Sequence, residues 1–212
     1  MTNVPHLAPT SPPLCALLLC GIALVWFAAI YALAAGGAFL PAEPGPPLRF
    51  LPAVLAPPAA FLIAYRAFPG LRAWVRTLDP VLVTATQAWR VIGAAFLILW
   101  AMGDLPAVFA LPAGIGDVGV GILAVSVVAQ MARRADGWQR SARWLIALGL
   151  LDFVVAFGTA TLAAPGMPLA PAGGPWDELM QRLPMALIPA FAVPAFIILH
   201  LIAWIRLREA AT

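Results

Sequence analysis

Arg90, Asp117, Asp152 and His200 each stand inside a long apolar run. Ionisable groups in such runs are costly to bury and mark solute paths, proton relays or packing locks. Arg90 and Asp152 have the types to form an ion pair, which spares two lone charges in an apolar medium. Removing one partner of such a pair costs roughly 3–5 kcal/mol. Thr86, Gln87, Gly93 and Ala94 share the Arg90 face by i±3 and i±4 spacing. That face is polar and small, so it is expected to point into a helix bundle. Gly149, Ala156 and Thr159 share the Asp152 face in the same way. His200 has two readings: a hydrogen-bonded core histidine, or a proton relay with Asp152. A haem would need a second histidine at depth, and the other one, His6, lies in the N-terminal tail. No cofactor is expected.

Asp117 sits in the run Gly114-Ile-Gly116-Asp117-Val-Gly119-Val-Gly121. Glycines at this spacing let helix backbones approach closely. The run is not a phosphate-binding fingerprint, because no strand precedes it. Asp117, with Gly114 and Gly116, is expected near the outer start of a helix. It is either a packed, cap-like carboxylate or a ligand for a solute or cation. No zinc-binding HExxH, serine–histidine pair or acidic metal cluster is present, so no catalytic or metal-binding residue is assigned.

Helices must position these groups. The 212 residues are 63% hydrophobic and 10% charged, with a mean hydropathy of +0.96. A soluble domain carries roughly 45–50% apolar and about 25% charged residues. The chain is therefore expected to be an all-α polytopic membrane protein. Its spans run near Leu14–Gly36, Phe50–Ala67, Val81–Met102, Ala113–Met131, Ala142–Ala163 and Met185–Ile205. Each is long enough for a helix across a hydrocarbon core of ~30 Å. They form a single transmembrane domain over 14–206, between a tail at 1–13 and one at 207–212. The tail at 1–13 carries no Lys or Arg and the apolar run after it is long, so the first span reads as a retained helix. Cys15 and Cys20, five apart, read as small buried hydrophobes.

All 12 basic residues are arginine. Nine of them, Arg66, Arg72, Arg76, Arg133, Arg134, Arg140, Arg143, Arg206 and Arg208, fall on one side of the predicted spans, against Arg49 and Arg182 on the other. This bias places both termini in the cytoplasm. Basic residues beside spans meet anionic headgroups, so nucleic acid is not an expected partner. Asp79-Pro80 reads as an N-cap and first-turn proline, and Ser141 as the N-cap of the fifth span. Arg90 and Asp152 then both sit roughly 15 Å from the inner helix starts.

Leu51-Pro52 to Pro57, Leu105-Pro106 to Pro112 and Leu183-Pro184 to Pro189 each precede or open an even-numbered span. They suggest three helical-hairpin repeats, over 14–67, 81–131 and 142–205. Prolines at and just after a helix start leave donors unpaired and bend the chain. Three such starts either form a polar pocket, as broken helices do in transporters, or merely shape helix entry.

The segments Gln87-Ala-Trp89-Arg90-Val-Ile-Gly93, Phe109 through Asp117, Leu183 through Pro189 and Pro194 through His200-Leu-Ile carry a likeness. From about Val81 onward the chain resembles a family of small six-helix bacterial inner-membrane proteins to which no activity is attached. The resemblance implies a bacterial inner-membrane setting and nothing about chemistry. The residues themselves suggest a small-solute permease or proton-coupled transporter. The alternative is a non-catalytic accessory or scaffold subunit that binds lipid or another membrane protein, or that forms a homo-oligomer. A membrane enzyme acting on lipid through His200 and a carboxylate ranks last.

Overall fold

The computed structural model describes residues 14–40, 43, 45–171 and 176–209. The N-terminal tail with His6 and the last three residues of the C-terminal tail lie outside them. The described residues are helical and contain no strand. Six helical segments are long and apolar enough to cross a membrane: Leu17–Ala35, Leu48–Ala67, Pro80–Ala101, Ala107–Ala132, Trp138–Leu162 and Ile188–Glu209.

Helix α1 spans Leu14–Ala35 and α2 spans Leu51–Ala67, entered through a 3-10 turn at Leu48–Phe50. The arginine-bearing segment after α2 holds a short helix, α3 (Pro69–Thr77). Leu71, Trp74, Val75 and Leu78 recur at helical spacing and pack on the bundle's core, while Arg76 is exposed. The third span is not one α-helix. It runs as α4 (Pro80–Ala85), a 3-10 stretch (Thr86–Gly93) and α5 (Ala94–Ala101). The expected cap at its start is present, with Asp79 Oδ1 accepting from the Val81 amide at 2.8 Å.

Helix α6 spans Ala107–Ala132 and begins right after Pro106, six residues ahead of the expected Ala113 start. Asp117 is consequently in the third turn, not at the helix N-terminus, and the favourable dipole position expected for it does not apply. Helix α7 spans Trp138–Leu162 and starts after Gly137, whose φ of 78° suits glycine. Ser141 is inside this helix rather than capping it. Its hydroxyl instead donates to Gln130 Oε1 at 2.8 Å and ties α7 to α6. The proline- and glycine-rich segment between the fifth and sixth spans holds a short helix, α8, Trp176–Gln181. The sixth span opens with a π-turn at Ile188–Ala192, around Pro189, and continues as α9, Val193–Glu209.

Helix α6 packs along both α7 and the third span, and α9 packs against α2, α4 and α7. One core, around Val120, Val127, Leu145 and Ile202, fills the end nearest α3. A second, around Phe96, Phe109 and Met180, lies toward α8. Helix α1 meets the rest through its C-terminal half, where Trp26, Ile30 and Ala34, with Phe39 of the turn that follows, pack on Phe50, Ala190 and Phe191. Cys20, expected to be buried, is exposed on its outer face.

Candidate functional site

The third span's change of pitch places the site's central residue. In a 3-10 helix side chains three apart eclipse one another. Thr84, Gln87, Arg90, Gly93 and Phe96 are all buried, so the inward row repeats every three residues. Trp89 and Ile92 point away, at 74% and 60% exposure. The expected face included Thr86 and Ala94, which the tighter winding moves off this row. A 3-10 turn also rises faster, so Arg90 lies roughly 19 Å from the helix start instead of 15 Å. Asp152 moves the same way, because α7 starts three residues before Ser141. Both groups therefore reach the level of Asp117.

The Arg90 guanidinium is fully buried and bonds in three directions. Its Nε donates to Asp117 Oδ1 at 2.8 Å and its Nη1 to the Gly149 carbonyl at 3.0 Å. Its Nη2 donates to Asp152 Oδ2. The guanidinium carbon lies 4.0 Å from the centre of the Phe153 ring, a cation–π contact on its remaining face. The expected Arg90–Asp152 pair is thus joined by Asp117, which was expected apart from it, on the outer side. One guanidinium faces two carboxylates.

Three glycines make this approach possible, the first being Gly93, where a Cβ would strike the Asp117 side chain. A Cβ on Gly116 would fall on the Asp152 carboxylate. A Cβ on Gly149 would strike the His200 ring and lie 2.9 Å from Arg90 Nη1. Gly114 has a different task, since its α-carbon packs against Leu97 rather than the charges.

His200 is buried against Gly149 beside Arg90, and neither ring nitrogen has a hydrogen-bond partner among the described residues. No hydrogen bond joins it to Asp152. Gln87 is also buried. Its Nε2 donates to the Phe196 carbonyl at 3.5 Å and its Oε1 is unpartnered among the described residues. Gln87 therefore links the third span to α9, one 3-10 turn away from the charge cluster.

Above the two carboxylates lies a cavity of about 110 Å³. Helix α7 lines it with Asp152, Phe153, Ala156, Phe157 and Ala160, a stripe at i, i+4 and i+8 that extends ~12 Å along the helix. Opposite are Phe50, Phe96 and Phe109, and Asp117 joins Asp152 at the floor. Residues from all three even-numbered spans reach the cavity: Val54, Phe109 and Pro189. Helix α8 closes the far end with Trp176, Met180 and Gln181. Trp176 stacks on Phe109 with ring centres 5.3 Å apart and donates to the Ala163 carbonyl at 3.0 Å. Trp176 is thus held in place as part of the cavity wall.

The aromatic wall, Phe153 and Gln181 do not stand out in the sequence. The signal for the α7 part was present in the small residues Ala156 and Ala160 spaced from Asp152. Nothing in the sequence pointed to α8, because its few residues fall in a proline- and glycine-rich stretch. No group of three or more His, Cys, Asp or Glu side chains able to hold a metal occurs among the described residues.

No curated protein and no solved structure matches the chain. Residues 48–208 do match a family described as a domain of unknown function, DUF8737, and the chain belongs to that family.

Proposed function

We propose that the chain is an integral membrane protein of six spans that admits a small solute into the cavity above Asp117 and Asp152, as a permease whose excess carboxylate charge also carries protons. The observation behind this reading is the apolar cavity that ends on two carboxylates sharing one guanidinium. A second carboxylate is unnecessary for a packing lock, but it gives a site that can take up one positive charge. The interrupted helices around the cavity support the same reading. Transporters place unwound or bent segments where a binding site must open and close. The π-turn of the sixth span lines this cavity through Ile188 and Pro189, and the third span reaches it through Phe96, three residues beyond the end of its 3-10 stretch.

The arginine bias supports cytoplasmic termini, which turns the α8 end of the cavity outward. The likeness of the later segments favours a bacterial inner membrane. The Leu-Pro pairs at the entries of the second, fourth and sixth spans favour three related hairpins. An accessory role, in which the protein binds lipid, another membrane protein or a second copy of itself, is favoured by one observation. Arg90 is wholly enclosed, as a structural lock would be.

Native mass spectrometry of protein extracted with its surrounding membrane separates these readings. A discrete bound small molecule is the expected result. A stoichiometric protein partner with no small ligand would overturn the permease reading and establish the accessory one.

A further inference from the structure

The atoms facing the cavity specify a ligand class, on the reading that the cavity is the solute site. Arg90 contributes nothing to the lining, whereas Asp117 and Asp152 do. Among the described residues no cationic side chain lines the cavity. Each carboxylate gives one oxygen to Arg90, so with both ionised the cluster keeps one negative charge. An anion entering here would meet carboxylates with the guanidinium hidden behind them. At the other end Gln181 is only 2% exposed, and its Oε1 has no hydrogen-bond partner among the described residues. Gln181 lines the same cavity, at the end opposite the acidic floor. Aromatic rings occupy the wall between them, and Ala156 and Ala160 leave room on the α7 side.

We propose that this cavity binds a protonated amine with an apolar body: the ammonium sits against Asp117 and Asp152, and the body lies between Phe109 and the Ala156–Ala160 stripe. Buried acceptors left unpaired favour a ligand that brings donors, and ring faces attract a cation that passes them. The charge excess excludes the isosteric carboxylate.

The test uses the full chain in nanodiscs, titrated by calorimetry with 2-phenylethylammonium and with 3-phenylpropionate, which has the same body and the opposite charge. Empty nanodiscs correct for partition into lipid. The expected result is saturable binding of the ammonium at least roughly tenfold tighter than of the carboxylate, a gap of about 1.4 kcal/mol. Ala160→Phe fills the cavity without touching a charge and should abolish binding. Asp117→Asn removes the charge excess and should weaken it by at least roughly tenfold. Should Ala160→Phe fail to fold, Asp117→Asn alone decides. Equal or tighter binding of the carboxylate overturns the proposal, as does ammonium binding that the folded variants leave intact. Transport is read separately, in proteoliposomes. A bound amine that does not cross the bilayer sinks the permease reading and leaves this site standing. Solute currents without amine binding do the reverse.

Discussion

At the scale of single residues, the two-to-one charge count makes the cluster asymmetric. Replacing Arg90 by methionine leaves Asp117 and Asp152 facing each other in a buried site. Stranding buried charge in this way costs roughly 3–5 kcal/mol. Asp117→Asn leaves an oxygen for Arg90 Nε and a charge-balanced Arg90–Asp152 pair. Its expected cost is within about 1 kcal/mol, that of an altered hydrogen bond. Unfolding midpoints of the two variants in one detergent check the contrast, and equal losses would mean that the Asp117 charge is as necessary to folding as Arg90. The glycines make a parallel case. Gly116→Ala drives a Cβ into the Asp152 carboxylate, an overpacking that costs roughly 1–3 kcal/mol. Gly119→Ala, one turn away on the same helix, meets nothing within 4 Å and should stabilise by roughly 0.5–1 kcal/mol through helix propensity. Thermal unfolding of this pair separates close approach at Gly116 from a general need for glycine in α6.

At the scale of elements, all six apolar segments were legible because 18 or more apolar residues in succession have few alternatives to a membrane-length helix. The cap at Asp79 was legible for the same local reason. Winding was not. The sequence Thr84, Gln87, Arg90, Gly93, Phe96 has a period of three, but read with 3.6-residue turns it spreads over a face that includes Thr86 and Ala94. Helix starts were shifted as well. Leu105-Pro106 opens α6 directly, with Pro112 tolerated inside the helix, and those six extra residues carry Asp117 from the expected outer end to the level of Arg90. The site was therefore half visible. Arg90 and Asp152 announce each other by charge and depth, while Asp117 joins them only once the true boundaries are known. Spin labels placed singly along 85–95 test the winding. Oxygen accessibility should repeat every three residues, with maxima near Trp89 and Ile92 and minima near Gln87, Arg90 and Gly93. A period of 3.6 would mean that the third span is an ordinary α-helix.

At the scale of the whole molecule, the spans are unequal partners. In Ala107–Ala132 39% of the apolar window is buried inside the protein, against 11% in Leu17–Ala35. The first helix leans on the bundle through Ile30, Ala34 and the contact of Trp26 with Phe191, whose ring centres are 4.6 Å apart. Among the described residues, none of α1 lines the cavity. The turn just beyond α1 matters more, because Phe39 stacks on Phe50 at 4.6 Å and Phe50 is part of the cavity wall. The region shared with the family also begins at residue 48, beyond α1. The charge cluster and its cavity thus belong to the second through sixth spans, held by the packing of α6 on its neighbours, and α1 is an addition at one side. A chain that starts at Gly37 keeps the Phe39–Phe50 stack and removes α1 with the tail before it. It is expected to fold with an unfolding midpoint within a few degrees of the full chain and to bind 2-phenylethylammonium with unchanged affinity. The arginines of the 66–79 and 133–143 segments should hold the remaining spans in their orientation, since charge beside the spans sets topology. Loss of folding in the shortened chain would make α1 an integral wall of the bundle. Retained folding with lost binding would mean that α1 shapes the cavity through Phe50 and the π-turn at Pro189, against which its C-terminal half is packed.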